Sequence, residues 1–167
     1  MAFGANSKIF TAYLHDVLAN TTAADIDTDA LIECALFDNT VTPNQVDTAA
    51  HNCYAGAGGT WASGGVVDTG SSAPAGWPAL GRPLAWGTAT RWSVATATPI
   101  VFDSDDTVSA NSFTTLTNAY GCLIYDHTAG TPTDEGFCYL SFGGANSVTL
   151  GTFTVVWNAS GVMSFAL

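Results

Sequence analysis

The sequence predicts a mainly β chain: an antiparallel β-sandwich or jelly-roll-like barrel, introduced by one short N-terminal helix. Short apolar runs with alternating side chains recur at about 8–12-residue spacing through the second half. A single early stretch carries a helical stripe instead. Thr is abundant, 23 of 167 residues, and Thr suits the pleated surface of a strand. This length fits one domain over residues 1–167 and allows roughly two-thirds of the unfolded surface to be buried, enough for a core without metal or disulfide staples.

Taken in order, Ser7 is placed to cap a helix carrying Ile9, Phe10, Tyr13, Leu14, Val17 and Leu18, which ends near Asn20-Thr-Thr. An N-terminal arm and helix thus occupy about residues 1–20. Ala30 to Phe37 alternates as a strand, with Leu31, Glu33, Ala35 and Phe37 on one face and Ile32, Cys34 and Leu36 on the other. Asp38 to Gln45 is a turn-rich exit containing Thr42-Pro43-Asn44. A short helix is expected around Val46 to Tyr54, broken by Ala55-Gly-Ala-Gly-Gly59. From about 55 to 83 the chain is rich in Gly, Ser, Ala and Pro, with Val66-Val67 as a brief strand. A stretch that long and irregular is expected to be ordered by a partner, with Trp61, Trp77 and Leu80 as its apolar anchors.

Strands are then expected at Arg82 to Trp86, Ala89 to Ala95, Ile100 to Phe102, Ser112 to Leu116, Gly121 to Tyr125 and Phe137 to Phe142. A final hairpin joins Thr149–Trp157 to Val162–Leu167 through Asn158-Ala-Ser-Gly161. Phe153, Val155 and Trp157 alternate with Thr152, Thr154 and Val156 on one arm, and Met163, Phe165 and Leu167 alternate on the other. Trp157 reads as core.

The charge pattern narrows function. Fourteen acidic residues face three basic ones, Lys8, Arg82 and Arg91, for a formal charge of −11. Such a chain repels a phosphate backbone and has no basic track, which argues against nucleic acid and against an anionic membrane surface as partners. Charged residues make up only 10% of the chain. A Thr/Ala/Gly surface of that kind suits a protein packed beside many copies of other proteins, whereas soluble enzymes keep more charge of both signs. No apolar run is long enough to span a membrane, and Met1 to Lys8 lacks the basic and apolar regions of a secretion signal. Cys34, Cys53, Cys122 and Cys138 contain no C-x-x-C pair, so reduced, partly buried thiols are expected rather than zinc ligands or disulfides.

Evidence for chemistry is thin. His15, His51 and His127 are available as bases, the first beside Asp16 and the last after Asp126, but no G-x-S-x-G elbow accompanies them. Asp25, Asp27 and Asp29 have the spacing that opens an EF-hand loop, yet Ala30 and Leu36 stand where that loop needs Gly and Glu. Asp103-Ser-Asp-Asp106 reads as a turn between strands, with a weak calcium site as the alternative at either acidic cluster. A glycosidase pair is poorly supplied, with Glu33 and Glu135 the only glutamates. Trp61 and Trp77 in the Gly-rich stretch are candidates for exposed contacts, to a glycan or to another copy. No catalytic residue, metal ligand or cofactor is assigned.

The order of motifs is more informative than any one of them. Asp29-Ala-Leu-Ile-Glu-Cys-Ala-Leu-Phe-Asp-Asn-Thr-Val-Thr-Pro-Asn44 comes first, then Gly64-Gly-Val-Val67 and Gly76-Trp-Pro-Ala-Leu-Gly-Arg-Pro-Leu84. Gly121-Cys-Leu-Ile-Tyr-Asp-His-Thr128 and Phe137-Cys-Tyr-Leu-Ser-Phe-Gly-Gly144 follow, and Gly151-Thr-Phe-Thr-Val-Val-Trp-Asn-Ala-Ser-Gly-Val-Met-Ser-Phe-Ala-Leu167 closes the series. This series resembles a family of small virion proteins encoded among the structural genes of tailed bacteriophages. The family shows a short helix, a strand ending at a T-P-N turn, a G-[WY]-x-x-G-G-x-x-L segment, an I-Y-D strand, a Y-I-D-F-G strand and a T-I-x-W-[ND]-x-x-G-I-F hairpin. The resemblance leaves out Gln45 to Gly59 and Ser104 to Asn118. Leu80-Gly81-Arg82 replaces the usual Gly pair, and Leu140-Ser141 stands where the family has Ile-Asp.

The resemblance implies a phage particle component assembled in the host cytoplasm. Combined with size, β content and charge, it leads to the expectation of a capsid decoration, or cement, protein on the outer surface of the head. Its partners would be the major capsid protein and further copies of itself, as a dimer or trimer. The N-terminal arm and the Trp61–Pro83 stretch are then the expected contact regions, with Phe3, Trp61, Trp77 and Leu80 as candidate contacts. A tail, neck or head-fibre-base protein is the alternative, a glycan-binding adhesion module a third, and an enzyme the last.

Overall fold

Two long strands supply the axis of the fold, and the rest of the chain is arranged around them. The computed structural model describes residues 7–21, 32–55, 60–61, 64–69, 76–84, 100–127 and 133–165. Strand β1 (Lys8–Ile9) leads into helix α1 (Thr11–Ala19); β2 (Ile32–Phe37), the one-turn helix α2 (Ala49–Asn52) and β3 (Arg82–Pro83) follow. Next come β4 (Ile100–Phe102), β5 (Thr107–Val108) and the long pair β6 (Thr114–Asp126) and β7 (Gly136–Gly151). Strands β8 (Thr154–Val155) and β9 (Met163–Phe165) complete the described elements.

The main sheet has the order β1-β7-β6-β2-β3, with every neighbour antiparallel; β4 pairs with β9 and β5 with β8 in two small sheets. The protein is therefore mainly β and sandwich-like, and its main sheet is open rather than closed into a barrel. Strand β2 is an interior strand, between β6 and β3, which explains its near-continuous apolar sequence. Ile32, Cys34, Ala35, Leu36 and Phe37 are all buried, so both faces of the strand are covered.

Register assigns the faces, because residues directly opposite share one. Ala35, Leu123 and Tyr139 align on one face; Cys34, Ile124 and Cys138 align on the other. An aromatic layer covers the first. Trp61 lies edge-on to Phe37 at 4.8 Å and to Phe10 at 6.2 Å, and Tyr54 stacks on Tyr125 at 4.7 Å. On the second face, Ile9, Cys138 and Leu140 share a cleft with Val162 and Met163 beside β9. One buried apolar cluster runs from Phe10 to Met163.

Several expected boundaries move. Ser7 does not cap α1; its Oγ accepts the Ser141 N–H at 3.1 Å, and the helix begins after Phe10, which has an extended backbone and no capping side chain. The segment before the helix is used as edge strand β1, because β7 offers it a partner. The helix ends as expected at Asn20, in the left-handed conformation (φ 56°) with its N–H on the Val17 carbonyl at 3.2 Å. The helix expected over Val46 to Tyr54 is only α2. Val66-Val67 contributes a single bridge, Val66 to Phe37. Ala89 to Ala95 lies outside the described residues.

Ser112–Leu116 and Gly121–Tyr125 are one strand, β6. Asn118, the apparent break, sits in a bulge at φ 60° with its N–H donated to Ser147 Oγ at 3.0 Å. The expected terminal hairpin is also corrected. The Asn158–Gly161 turn forms, with the Gly161 N–H on the Asn158 carbonyl at 2.8 Å, but among the described residues its two arms do not pair with each other. Residues 100–108 run antiparallel to residues 154–165, and the turn bulges out between the two pairings. Alternation survives in the first arm, where Phe153, Val155 and Trp157 are buried while Thr152, Thr154 and Val156 are exposed; in the second, Val162 and Met163 are both buried and Phe165 is only half-buried.

Candidate functional site

Of the expected contact residues, Phe3 lies outside the described residues. Trp61 and Trp77 are corrected: both are fully buried within the chain itself. Trp61 closes the aromatic layer described above. Trp77 packs edge-on against Phe153 at 5.6 Å and donates its indole N–H to the Cys34 carbonyl at 3.1 Å. Its backbone is fastened to Thr69, whose N–H donates to the Trp77 carbonyl at 3.0 Å and whose Oγ accepts the Trp77 N–H at 3.1 Å. The described parts of the Gly-rich stretch are thus ordered by the chain's own core. Sequence reasoning located the anchors and assigned them the wrong partner.

Leu80 does reach the surface, 44% exposed, on the turn between Trp77 and β3. The turn is clamped from below by two tyrosines. Tyr54 donates its hydroxyl to the Ala79 carbonyl at 2.8 Å, and Tyr125 donates to the Leu80 carbonyl at 2.5 Å. Gly81 follows at φ +104°, where a Cβ would lie 2.5 Å from the Cys34 carbonyl oxygen, so a side chain is excluded twice over. Leu80-Gly81-Arg82 thus carries its glycine at the position that the close approach requires.

Titratable groups converge beside this clamp. Glu33 on β2 lies opposite Tyr125 on β6 and Pro83 on β3, with His127 two residues beyond Tyr125 and Arg82 adjoining Pro83. Glu33 Oε2 is buried without a hydrogen-bond partner among the described residues. Burial pushes the carboxyl up from 4.5 to about 7, against the opposing pull of His127 and Arg82. His127 Nδ1 meets Asp134 Oδ1 at 2.9 Å; a carboxylate only accepts, so Nδ1 carries the proton there.

The raised carboxyl thus sits within the electrostatic reach of His127 and Arg82. The groups around it are poor nucleophiles. Burial drives Tyr125 and Tyr54 above their ordinary values, and both hydroxyls are held by backbone carbonyls. All four cysteines are buried thiols; burial pushes Cys53 to about 11 and drives Cys122 and Cys138 well above the usual range. What Tyr54 and Tyr125 do physically is fix the Pro78–Gly81 turn and so the position of Leu80. No spacing in the sequence signals this convergence. Only strand register brings Glu33, Arg82 and Tyr125 together.

His15 pairs with the neighbouring Asp16 at 2.9 Å on the exposed side of α1, and His51 is exposed on α2. Asp103 and Asp106 lie in the connection between β4 and β5 as expected, where they accept the N–H groups of Ser104 at 2.9 Å and Trp157 at 3.0 Å. Asp25, Asp27 and Asp29 lie outside the described residues. Among the described residues no three His, Cys, Asp or Glu side chains are gathered to hold a metal ion, and no helix is long and apolar enough to cross a membrane. No family model, curated protein or solved structure matches the chain.

Proposed function

We propose that this chain is a capsid decoration, or cement, protein of a tailed bacteriophage. It binds the outer surface of the head and stabilises contacts between major capsid protein subunits. The observation that carries the proposal is the ordered motif series from Asp29-Ala-Leu-Ile to the Trp157-Asn-Ala-Ser-Gly161 turn, which resembles small phage virion proteins. A β-rich core under a surface poor in charge is in keeping with it. So is the absence of any basic track that could bind the packaged DNA.

The mechanism is binding without bond-making. Copies bridging neighbouring capsid subunits oppose internal DNA pressure by burying apolar area at each junction. Leu80, presented on its clamped turn, supplies a capsid contact that costs little ordering entropy because the turn is already fixed.

The test is copy number in purified particles, by quantitative staining against the major capsid protein. A ratio near one copy per capsid subunit, or a simple symmetry fraction of it, is expected. A few to a few dozen copies would move the protein to the tail or neck, and its absence from particles would end the virion proposal.

A further inference from the structure

We propose that the charge-free face formed by β7 and β8 is a self-association surface, on which a second copy of this chain docks. The first observation is where the charge lies. No Asp, Glu, Lys, Arg or His occurs from Thr107 to Tyr125 or from Gly136 to Leu167, so all fourteen acidic residues lie elsewhere in the sequence. Two copies that each carry −11 repel one another unless they meet through a neutral surface. A basic partner would be drawn to the acidic segments instead. A neutral face on a strongly acidic chain is therefore suited to a like-charged partner, and a second copy is one by definition.

Geometry supplies the second. Strand β1 pairs with β7 only at Cys138 and Tyr139, and beyond Ser141 the described residues place only β6 alongside it. The stretch from Phe142 to Gly151 has no Pro and no Lys, two of the devices that blunt strand edges. Beside it, Phe142 and Asn146 of β7 and Phe153 to Val156 around β8 line a groove of about 280 Å³ with no charged residue among the described residues of its wall. Val156, which lines the groove, is 71% exposed, and Leu150 on β7 is 72% exposed. Asp106, which borders β8, is engaged by the Trp157 backbone N–H at 3.0 Å. A two-fold arrangement buries Leu150 and Val156 of each copy against the neutral face of the other, the isologous contact commonest among homo-oligomers.

The inference rests on the proposed function only for where the oligomer acts, and its test is independent of particles. Sedimentation equilibrium of the purified native chain is compared with Val156→Lys and Leu150→Lys, both at exposed positions. The native chain is expected to self-associate, and each variant to weaken the association at least tenfold while keeping the native thermal midpoint when both are compared at concentrations where the native chain is dissociated. Leu18→Lys, on the exposed end of α1, is expected to leave association unchanged. Hydrogen exchange of the native chain needs no variant: amides of residues 142–156 should gain protection as concentration rises. A native chain that stays monomeric, variants that associate as tightly as native, or protection gained elsewhere would overturn the inference. Monomeric native protein whose particle attachment is lost in Val156→Lys would assign the face to the capsid instead. Self-association through this face in a protein missing from particles would leave the inference standing and remove the proposed function.

Discussion

Replacing Glu33 by Gln removes an ionisable group from a desolvated position, so the effect on stability depends on pH. The folded chain holds the Glu33 proton up to about pH 7, against an ordinary value of 4.5. A carboxyl whose folded value is raised favours the folded state at low pH. That contribution is fully present below about pH 4.5 and is lost as pH rises through 7. Over the whole interval it would amount to roughly 3 kcal/mol, at about 1.4 kcal/mol per pH unit. Glu33 is only part-buried and faces His127 and Arg82, with Tyr125 across the strand pair, so screening reduces the expected value to about 1–2 kcal/mol. Gln keeps the shape without the charge. The Glu33→Gln chain should therefore gain about 1–2 kcal/mol relative to native between about pH 4.5 and 8. Urea unfolding followed by Trp fluorescence, on both chains across that range, measures the difference directly. A difference that is flat with pH, or that moves the other way, would show the carboxyl to be solvated and refute the argument.

Two further outcomes follow from burial. Trp61→Ala should cost about 3–5 kcal/mol of unfolding free energy, because the ring packs against Phe10, Phe37 and Tyr139 with no exposure; a loss under about 1 kcal/mol would return Trp61 to the surface. All four thiols should resist a disulfide reagent in the native protein and react once urea unfolds it, since each is buried and Cys53, Cys122 and Cys138 are held protonated. Rapid labelling of the folded chain would contradict this packing.

Local pattern carried a good deal of the fold. The alternation of Phe153, Val155 and Trp157 identified their buried face, and Ile100–Phe102 is a strand with the expected bounds. The helix ending at Asn20 was legible, but of its expected apolar stripe only Tyr13 is buried within α1: Ile9 lies in β1, Phe10 precedes the helix, and Val17 and Leu18 are exposed. Failures arose where a local signal had two outcomes. Ser112–Leu116 and Gly121–Tyr125 read as separate strands and are one, because Asn118 is a bulge within β6 and the ladder continues beyond it. Asn158-Ala-Ser-Gly161 looks like a hairpin and is an excursion, because the segments containing β4 and β5 offer both arms better partners. Trp61 and Trp77 sit in an irregular stretch, which says nothing about the side on which their rings are covered.

By itself the sequence determined the class of the chain. Strand periodicity, turn chemistry and an acidic, charge-poor composition act through neighbouring residues or through sums over the whole chain, and neither needs coordinates. The tertiary structure decided which strands are partners, that the main sheet stays open, that both loop tryptophans turn inward and that Glu33 lies among Tyr125, His127 and Arg82. It also placed the neutral residues of β7 beside those of β8 around one groove. Each of these depends on register between segments far apart in the chain. A slip of one residue would reverse every face, so the choice is settled by packing of the whole core and by no shorter stretch of sequence.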